Sequence, residues 1–316
     1  MRLLISYPKT QNHGFNFVYN NIATQLKAKY PQVDIQTYDC AEVANLVQHS
    51  AYCGGCNLSI INLDTKKCVI LSFADIAQIH AFAGHGFDEF KIMEIYGGLA
   101  WGESQATPQE ISDRWQIRYV PFQYPLPYDD FEEYLQTNRT PYNPSSKIRK
   151  AIFLGMQHTE RRHVLEHLQH HPLFEIPANY YSRHEYWSEM NKYAMILSLN
   201  GNGEFCVRDI EGYALGIPTV RSELKAQTRY HPVVPDVHYI RGSEPSNSSR
   251  MTYKDSSLLS YKQIAEQFVD AVETSMYNDE LLINISNNGL QYYENYCKFN
   301  YISDLFVELF NPEALL

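Results

Sequence analysis

The chain has 316 residues, of which 44% are hydrophobic and 20% charged, enough for one large or two medium domains with their own cores. Its formal net charge of −10 argues against general affinity for nucleic acid, although local basic residues can still hold a nucleotide. No apolar run reaches the length of a membrane span.

The opening MRLLISYP turns polar too soon for a secretory leader, so a cytoplasmic protein is expected. Its six cysteines are then expected as thiols unless a metal holds some of them. Arg2–Tyr7 has strand character, and Pro8–Phe15 is a polar loop containing Asn12, His13 and Gly14. Phe15–Tyr30 reads as a helix with Val18, Ile22 and Leu26 on one stripe, and Val33–Tyr38 as a second strand. This βαβ start suggests a Rossmann-like domain, but it lacks the G-x-G-x-x-G fingerprint, so no dinucleotide is placed here.

Cys53-Gly54-Gly55-Cys56, with His49, Cys40 and Cys68 nearby, has metal-like spacing. A structural zinc, a redox dithiol and plain thiols in a tight turn all remain open, and a second Cys-x-x-Cys is missing. Cys68–Phe73 reads as a strand and Asp75–Phe82 as the start of a helix. Phe82–Ser104, rich in Gly, His and aromatics, is expected to form loops. Arg118–Pro121 is a short strand and Asp129–Leu135 a helix. Thr137–Lys147 is polar, carries two prolines and shows no periodicity, so it reads as an interdomain link. The expected domains are residues 1–140 and 148–316.

Lys150–Met156 opens the second half as a strand that includes Gly155. Glu160–His170 follows as a helix with Val164, Leu165 and Leu168 buried, and with Arg161 and Arg162 at its start. Basic residues there oppose the helix dipole, which favours a ligand role over two solvated arginines. Tyr186–Tyr193 is a short helix. The stretch Met195–Val220, MILSLNGNGEFCVRDIEGYALGIPTV, then reads as strand, glycine turn, helix, stop and strand, one step of a parallel sheet. The turn is Asn200-Gly201-Asn202-Gly203, and Val207, Ile210 and Ala214 share a helix face. Backbone N–H groups at such a turn and helix start can cradle an anion. Arg208 could add a guanidinium to a phosphate, and Glu211 could accept from ribose hydroxyls. By glycine spacing alone, an ordinary surface turn with solvated Arg208 and Glu211 is the simpler reading. Beyond it, Arg221–His231 reads as loop, Val237–Ile240 as strand and Gly242–Asp255 as polar and mobile. Tyr261–Met276 is amphipathic, with Ile264, Phe268, Val269 and Val272 inward, and Asn284–Phe310 carries one or two helices.

The 193–220 segment resembles the donor-binding segment of GT-B glycosyltransferases, most closely that of exostosin-type enzymes. There a strand and turn, S-K-F-x-L-x-P-x-G, runs into S-x-R-x-x-E-x-x-x-x-G-x-x-P-V. Tyr193–Leu199, Gly201 or Gly203, Arg208, Glu211, Gly216, Pro218 and Val220 match in order; Asn200 replaces the proline and Cys206 stands where a small hydroxyl residue is common. The start of the second half is similar to F-x-G-x-x-x-x-x-R of the same enzymes, with Arg161 and Arg162 near its arginine. Asp236–Ile240 resembles a stretch late in several such transferases.

The resemblance implies an α/β GT-B architecture: two Rossmann-like domains facing across a cleft, with the terminal helix returning to the first. It implies a nucleotide-diphosphate sugar as donor, held by Gly155, Arg161, Arg162, Asn200, Gly201, Gly203, Arg208 and Glu211, and a glycan or glycoconjugate acceptor at the first domain. Many inverting relatives carry the base after the first strand, which selects His13; His85, Asp88 and Glu89 are the alternatives. Imidazole suits the task because it titrates near neutral pH. No Asp-x-Asp pair sits at a strand end, so no metal or other cofactor is required. Glu204 and Glu211 have six residues between them, against seven in many retaining enzymes, and the reading leans to inversion. A nucleotide-sugar epimerase and a non-catalytic nucleotide- or sugar-binding protein are the rival classes.

Overall fold

A computed structural model of the chain describes residues 2–7, 16–39, 57–65, 67–72, 91–97, 118–121, 128, 130–157, 159–179, 181–200, 206–224, 232–244 and 259–298. The chain divides into two compact units. One takes Met1–Asp129, Thr228–Tyr230 and Cys297–Leu316, and the other takes Asp130–Gln227 and His231–Tyr296. Both are α/β.

The first unit contains β1 (Arg2–Tyr7), α1 (Asn16–Lys29), β2 (Asp34–Asp39), β3 (Asn57–Asn62), β4 (Lys67–Ser72), β5 (Lys91–Gly97) and β6 (Arg118–Pro121). Leu3, Ile5 and Tyr7 of β1 are buried, as are Val18, Ile22 and Leu26 of α1, the stripe read from the sequence. The sheet runs β2-β1-β3-β4-β5-β6. β1 and β2 are parallel, as a helical crossover requires. β3 is antiparallel to both β1 and β4, a reversal that the βαβ start of the sequence does not announce. The cause is local. Asn62 Oδ1 accepts from the backbone N–H groups of Asp64 and Thr65, both at 3.0 Å, and this turn folds β3 straight back into β4. β5 is a correction, because Lys91–Gly97 lies inside the stretch expected to be loop and pairs parallel with β4.

The second unit contains α2 (Phe131–Asn138), a 3-10 turn (Pro144–Ser146), β7 (Ile148–Ile152), α3 (Thr159–Leu168), β8 (Phe174–Glu175) and α4 (Arg183–Met190). It continues with β9 (Tyr193–Ser198), α5 (Val207–Leu215), β10 (Thr219–Ser222), β11 (Ile240–Ser243), α6 (Tyr261–Ser275) and α7 (Asp279–Tyr296). Its sheet runs β11-β10-β9-β7-β8, and every neighbouring pair is parallel. β9 is buried along its whole length, which explains its unbroken apolar sequence. Ser260 and Gln263 cap α6 reciprocally, and Ile264, Phe268 and Val272 fill the core beside β11. At β11 a Cβ on Gly242 would strike the Phe268 ring, so the close approach of α6 requires glycine there. α5 ends at Gly216, whose φ of 65° is the left-handed stop the sequence suggested.

Four sequence readings shift here. The stretch read as a link packs into the second unit: Pro144 is buried, and Tyr142 donates to the Ala194 carbonyl at 2.8 Å. The short helix before β9 is α4, starting at Arg183, where Glu185 accepts from the backbone N–H and hydroxyl of Ser182. Arg221 and Ser222 belong to β10 rather than to a loop. The late strand begins at Ile240, and Val237 and His238 form the turn before it. Among the described residues, no helix is long and apolar enough to cross a membrane.

Candidate functional site

In the second sheet the chain goes outward from β7 to β8, then crosses back to lay β9 on the other side of β7. The loops leaving β7 and β9 therefore diverge, and in open parallel sheets ligands gather at the carboxyl ends of such a pair. At the end of β7, Phe153 and Leu154 are buried, Gly155 takes a φ of 135°, and Met156 is 70% exposed. At the end of β9 stand Leu199 and Asn200, both buried. α5 begins a few residues later with Cys206 as its N-cap.

Three arginines converge on this corner, and they are not equivalent. Arg161 of α3 donates to the carbonyl oxygens of Leu199 (3.1 Å), Asn200 (2.9 Å) and Met156 (3.1 Å), and to Cys206 Sγ (3.3 Å). It ties the two strand-end loops together from inside. Arg221 of β10 forms an ion pair with Asp209 Oδ2 at 2.7 Å, both side chains enclosed. It also donates to the Ser222 carbonyl at 3.1 Å and to Asn200 Oδ1 at 3.4 Å. The same Asp209 oxygen accepts from the backbone N–H of Cys206 at 2.7 Å, capping α5. Burial is the largest influence and disfavours the Arg221 charge, but Asp209, Tyr213, Cys206 and Tyr239 together outweigh it, so its pKa is raised. Asn200 is thus held at its backbone by Arg161 and at its side chain by Arg221.

Arg208, in the first turn of α5, is different. It is buried, yet its Nε and Nη1 have no hydrogen-bond partner among the described residues. Its guanidinium lies 4.3 Å from the Phe153 ring centroid. It also fills the space a Cβ would take on Gly155. Burial works against its charge, but the neighbouring Tyr186, Cys206 and Asp209 together favour it, so its pKa is raised.

Glu211, one turn further along α5, is 3% exposed. Trp187 Nε1 donates to its Oε1 at 2.8 Å, and Tyr186 Oη donates to its Oε2 at 3.2 Å. Burial raises its pKa from the ordinary carboxylate value, although Trp187, Arg208 and Tyr186 all pull it down. Trp187 is itself fixed by the rings of Phe131 and Tyr134, with centroids at 4.6 and 5.0 Å.

The structure thus brings together Gly155, Arg161, Asn200, Arg208 and Glu211 from the residues singled out in the sequence. Arg162, next along α3, is exposed. Gly201 and Gly203 lie outside the described residues, as do His13, His85, Asp88, Glu89, Cys53 and Cys56. Among the described residues no cluster of three or more His, Cys, Asp or Glu could hold a metal ion. Arg221, Asp209, Tyr186 and Trp187 escaped the sequence reading. A signal existed for Arg221: an arginine directly after the apolar Thr219-Val220 demands a buried partner, and Asp209 stands one helix earlier.

No family model and no curated protein matches the sequence. Among solved structures, the chain is similar to WaaG, a glycosyltransferase involved in lipopolysaccharide biosynthesis, at 13% identity over 95% of this chain and 97% of that one, with a TM-score of 0.48. It is also similar to Anabaena HepE in complex with UDP-glucose, at 11% identity over 99% and 100% of the chains, with a TM-score of 0.46. A third, the GtfA/B complex, shares 12% identity over 91% of this chain and 59% of that one, with a TM-score of 0.43. Likeness at this level leaves substrate and mechanism to be read from the chain's own residues.

Proposed function

We propose that this protein is a GT-B glycosyltransferase with a donor segment of the exostosin type. It moves a sugar from a nucleotide-diphosphate sugar to a hydroxyl of a glycan or glycoconjugate, with inversion and without requiring a metal. The observation that carries this reading is Arg208. A guanidinium is always charged, and burying one with two nitrogens unpaired is costly. A diphosphate at the carboxyl ends of β7 and β9 offsets that cost by accepting from those nitrogens.

In the reaction, a base removes the acceptor proton, the acceptor oxygen attacks the anomeric carbon, and the bond from that carbon to the diphosphate oxygen breaks. Negative charge builds on the leaving diphosphate, where Arg208 stabilises it at no reorganisation cost. The backbone N–H groups of Gly201 and Gly203 assist at the start of α5. Arg161 acts behind the site by holding Asn200 and Leu199 in place. Glu211 takes the ribose hydroxyls on its remaining lone pairs, since each carboxylate oxygen can accept twice. The base is His13, with His85, Asp88 and Glu89 as alternatives.

The test is calorimetric titration with UDP, GDP and their sugars, followed by nucleotide release with and without glycan acceptors. Binding with acceptor-dependent release supports a transferase. Sugar isomerisation without an acceptor identifies an epimerase, and binding with no turnover a binding protein. Absence of any nucleotide binding removes the whole reading. Proton NMR of the fresh product anomer decides inversion.

A further inference from the structure

Resting on that reading, we infer that Trp187 is a positioning residue for the ribose of the donor, acting through the carboxylate of Glu211. Trp187 Nε1 donates to Glu211 Oε1 at 2.8 Å, and Tyr186 Oη donates to Oε2 at 3.2 Å. Each oxygen thus has a protein donor and keeps capacity to accept from a hydroxyl. The two donors are not equal. A tyrosine hydroxyl turns about its C–O bond and can accept as well as donate, whereas an indole N–H only donates and points where its ring points. The indole therefore sets the orientation of the carboxylate.

The ring cannot follow a carboxylate that moves. Trp187 is fully buried, with the rings of Phe131 and Tyr134 of α2 at 4.6 and 5.0 Å. Around it, side chains tie α4 to α2. Asp130, the N-cap of α2, meets Arg183 at 2.8 Å and His184 Nε2 at 3.0 Å. The hydroxyls of Tyr134 and Ser188 meet at 3.0 Å, and the Ser182–Glu185 cap holds the first turn of α4. α2 and α4 thus form one mount for the indole, outside the 193–220 donor segment. Glu211 reaches it from α5 on a flexible side chain with several rotamers. Two neighbouring ribose hydroxyls need both carboxylate oxygens at set positions. A carboxylate already fixed there removes that ordering cost when the nucleotide binds.

The experiment is Trp187→Phe, which removes the indole N–H and keeps an aromatic ring. Calorimetry compares UDP with dideoxy-UDP, which lacks both ribose hydroxyls, on protein shown by its melting curve to be folded; GDP and its dideoxy analogue replace them if GDP is the nucleotide bound. The wild type should prefer UDP by roughly tenfold, the size expected for hydrogen bonds to a charged group. In Trp187→Phe that preference should shrink several-fold while dideoxy-UDP binds nearly as before. A role confined to packing weakens both nucleotides alike and leaves the preference at its wild-type size, and that result overturns the inference. If the variant does not fold, the wild type supplies the test. Its three tryptophans give three indole N–H signals in NMR, and that of Trp187 is assigned by substituting Trp101 and Trp115 in turn. UDP should shift this signal much further than dideoxy-UDP does, and equal shifts overturn the inference. No preference for UDP in the wild type also overturns it and leaves the transferase reading intact, since the nucleotide still binds. If the wild type binds neither UDP nor GDP, the transferase reading fails and takes this inference with it.

Discussion

The space beside Gly155 that a side chain would occupy is filled by the guanidinium of Arg208. Gly155 holds a φ of 135°, a conformation that residues with a Cβ rarely adopt. Glycine at this strand end therefore serves the arginine directly. Gly155→Ala should cost about 1–3 kcal/mol through backbone strain and push Arg208 aside. UDP binding, measured on protein confirmed to be folded, should weaken at least tenfold. Full affinity in a folded Gly155→Ala protein would show that Arg208 does not need that hollow.

Arg208 should separate stability from function. Its charge is buried beside an aromatic ring with two nitrogens unpaired. Replacing it with Met relieves that desolvation and gives up a cation–π contact of about 1–2 kcal/mol. Arg208→Met is expected to melt no lower than the wild type while losing most nucleotide binding and turnover. A large fall in melting temperature would assign Arg208 to the scaffold instead.

Asp209 should behave in the opposite way. Its Oδ2 serves both the Arg221 guanidinium and the capped N–H of Cys206. Asp209→Asn leaves a buried guanidinium without its carboxylate, a loss of about 3–5 kcal/mol. The melting temperature should fall by roughly 10 °C, given that each kcal/mol moves a domain of this size by a few degrees. A shift of only a degree or two would mean the network relaxes around the loss.

Glu211 makes stability depend on pH. Its folded pKa lies above the free value of 4.5, chiefly because of burial. Between those two values the folded protein binds more protons than the unfolded chain, so stability falls as pH rises through that window. Below 4.5 this penalty is absent. Glu211→Gln removes the titrating group and should flatten that part of the curve of unfolding free energy against pH. An unaltered curve would mean that other carboxyl groups set the slope.

His13→Ala should abolish most sugar transfer while leaving UDP affinity near the wild-type value, since the base acts on the acceptor. In the wild type, kcat/KM should fall as pH drops through the pKa of the base. Normal transfer by the variant would move the search to His85, Asp88 and Glu89.

Much of the second unit was legible because its signals are local. The apolar run of β9 marks a strand buried on both faces, and the stripe Ile264, Phe268 and Val272 marks the inner face of α6. Gly216 marks the end of α5, where a left-handed residue is needed. β5 was hidden because the charges of Lys91 and Glu94 fall three residues apart, off the period-two pattern of a strand, beside a Gly- and His-rich stretch, and its strand character depends on pairing with β4. The antiparallel β3 was missed because its Asn62 turn was not recognised as the signal that reverses the chain.

The sequence by itself determined which residue types gather in the candidate site, because Gly155, Arg161, Asn200, Arg208 and Glu211 sit at strand ends and helix starts. It could not determine their division of labour. Arg161 and Arg208 look alike in sequence, yet one is surrounded by carbonyl oxygens and the other has two enclosed nitrogens without a hydrogen-bond partner among the described residues. That difference is set by which loops the parallel sheet brings against each guanidinium. Arg161 meets Leu199 and Asn200, nearly forty residues away along the chain. Hydrogen bonds act over about 3 Å in space whatever the separation in sequence, so only the tertiary structure could decide which arginine remained available for an anion.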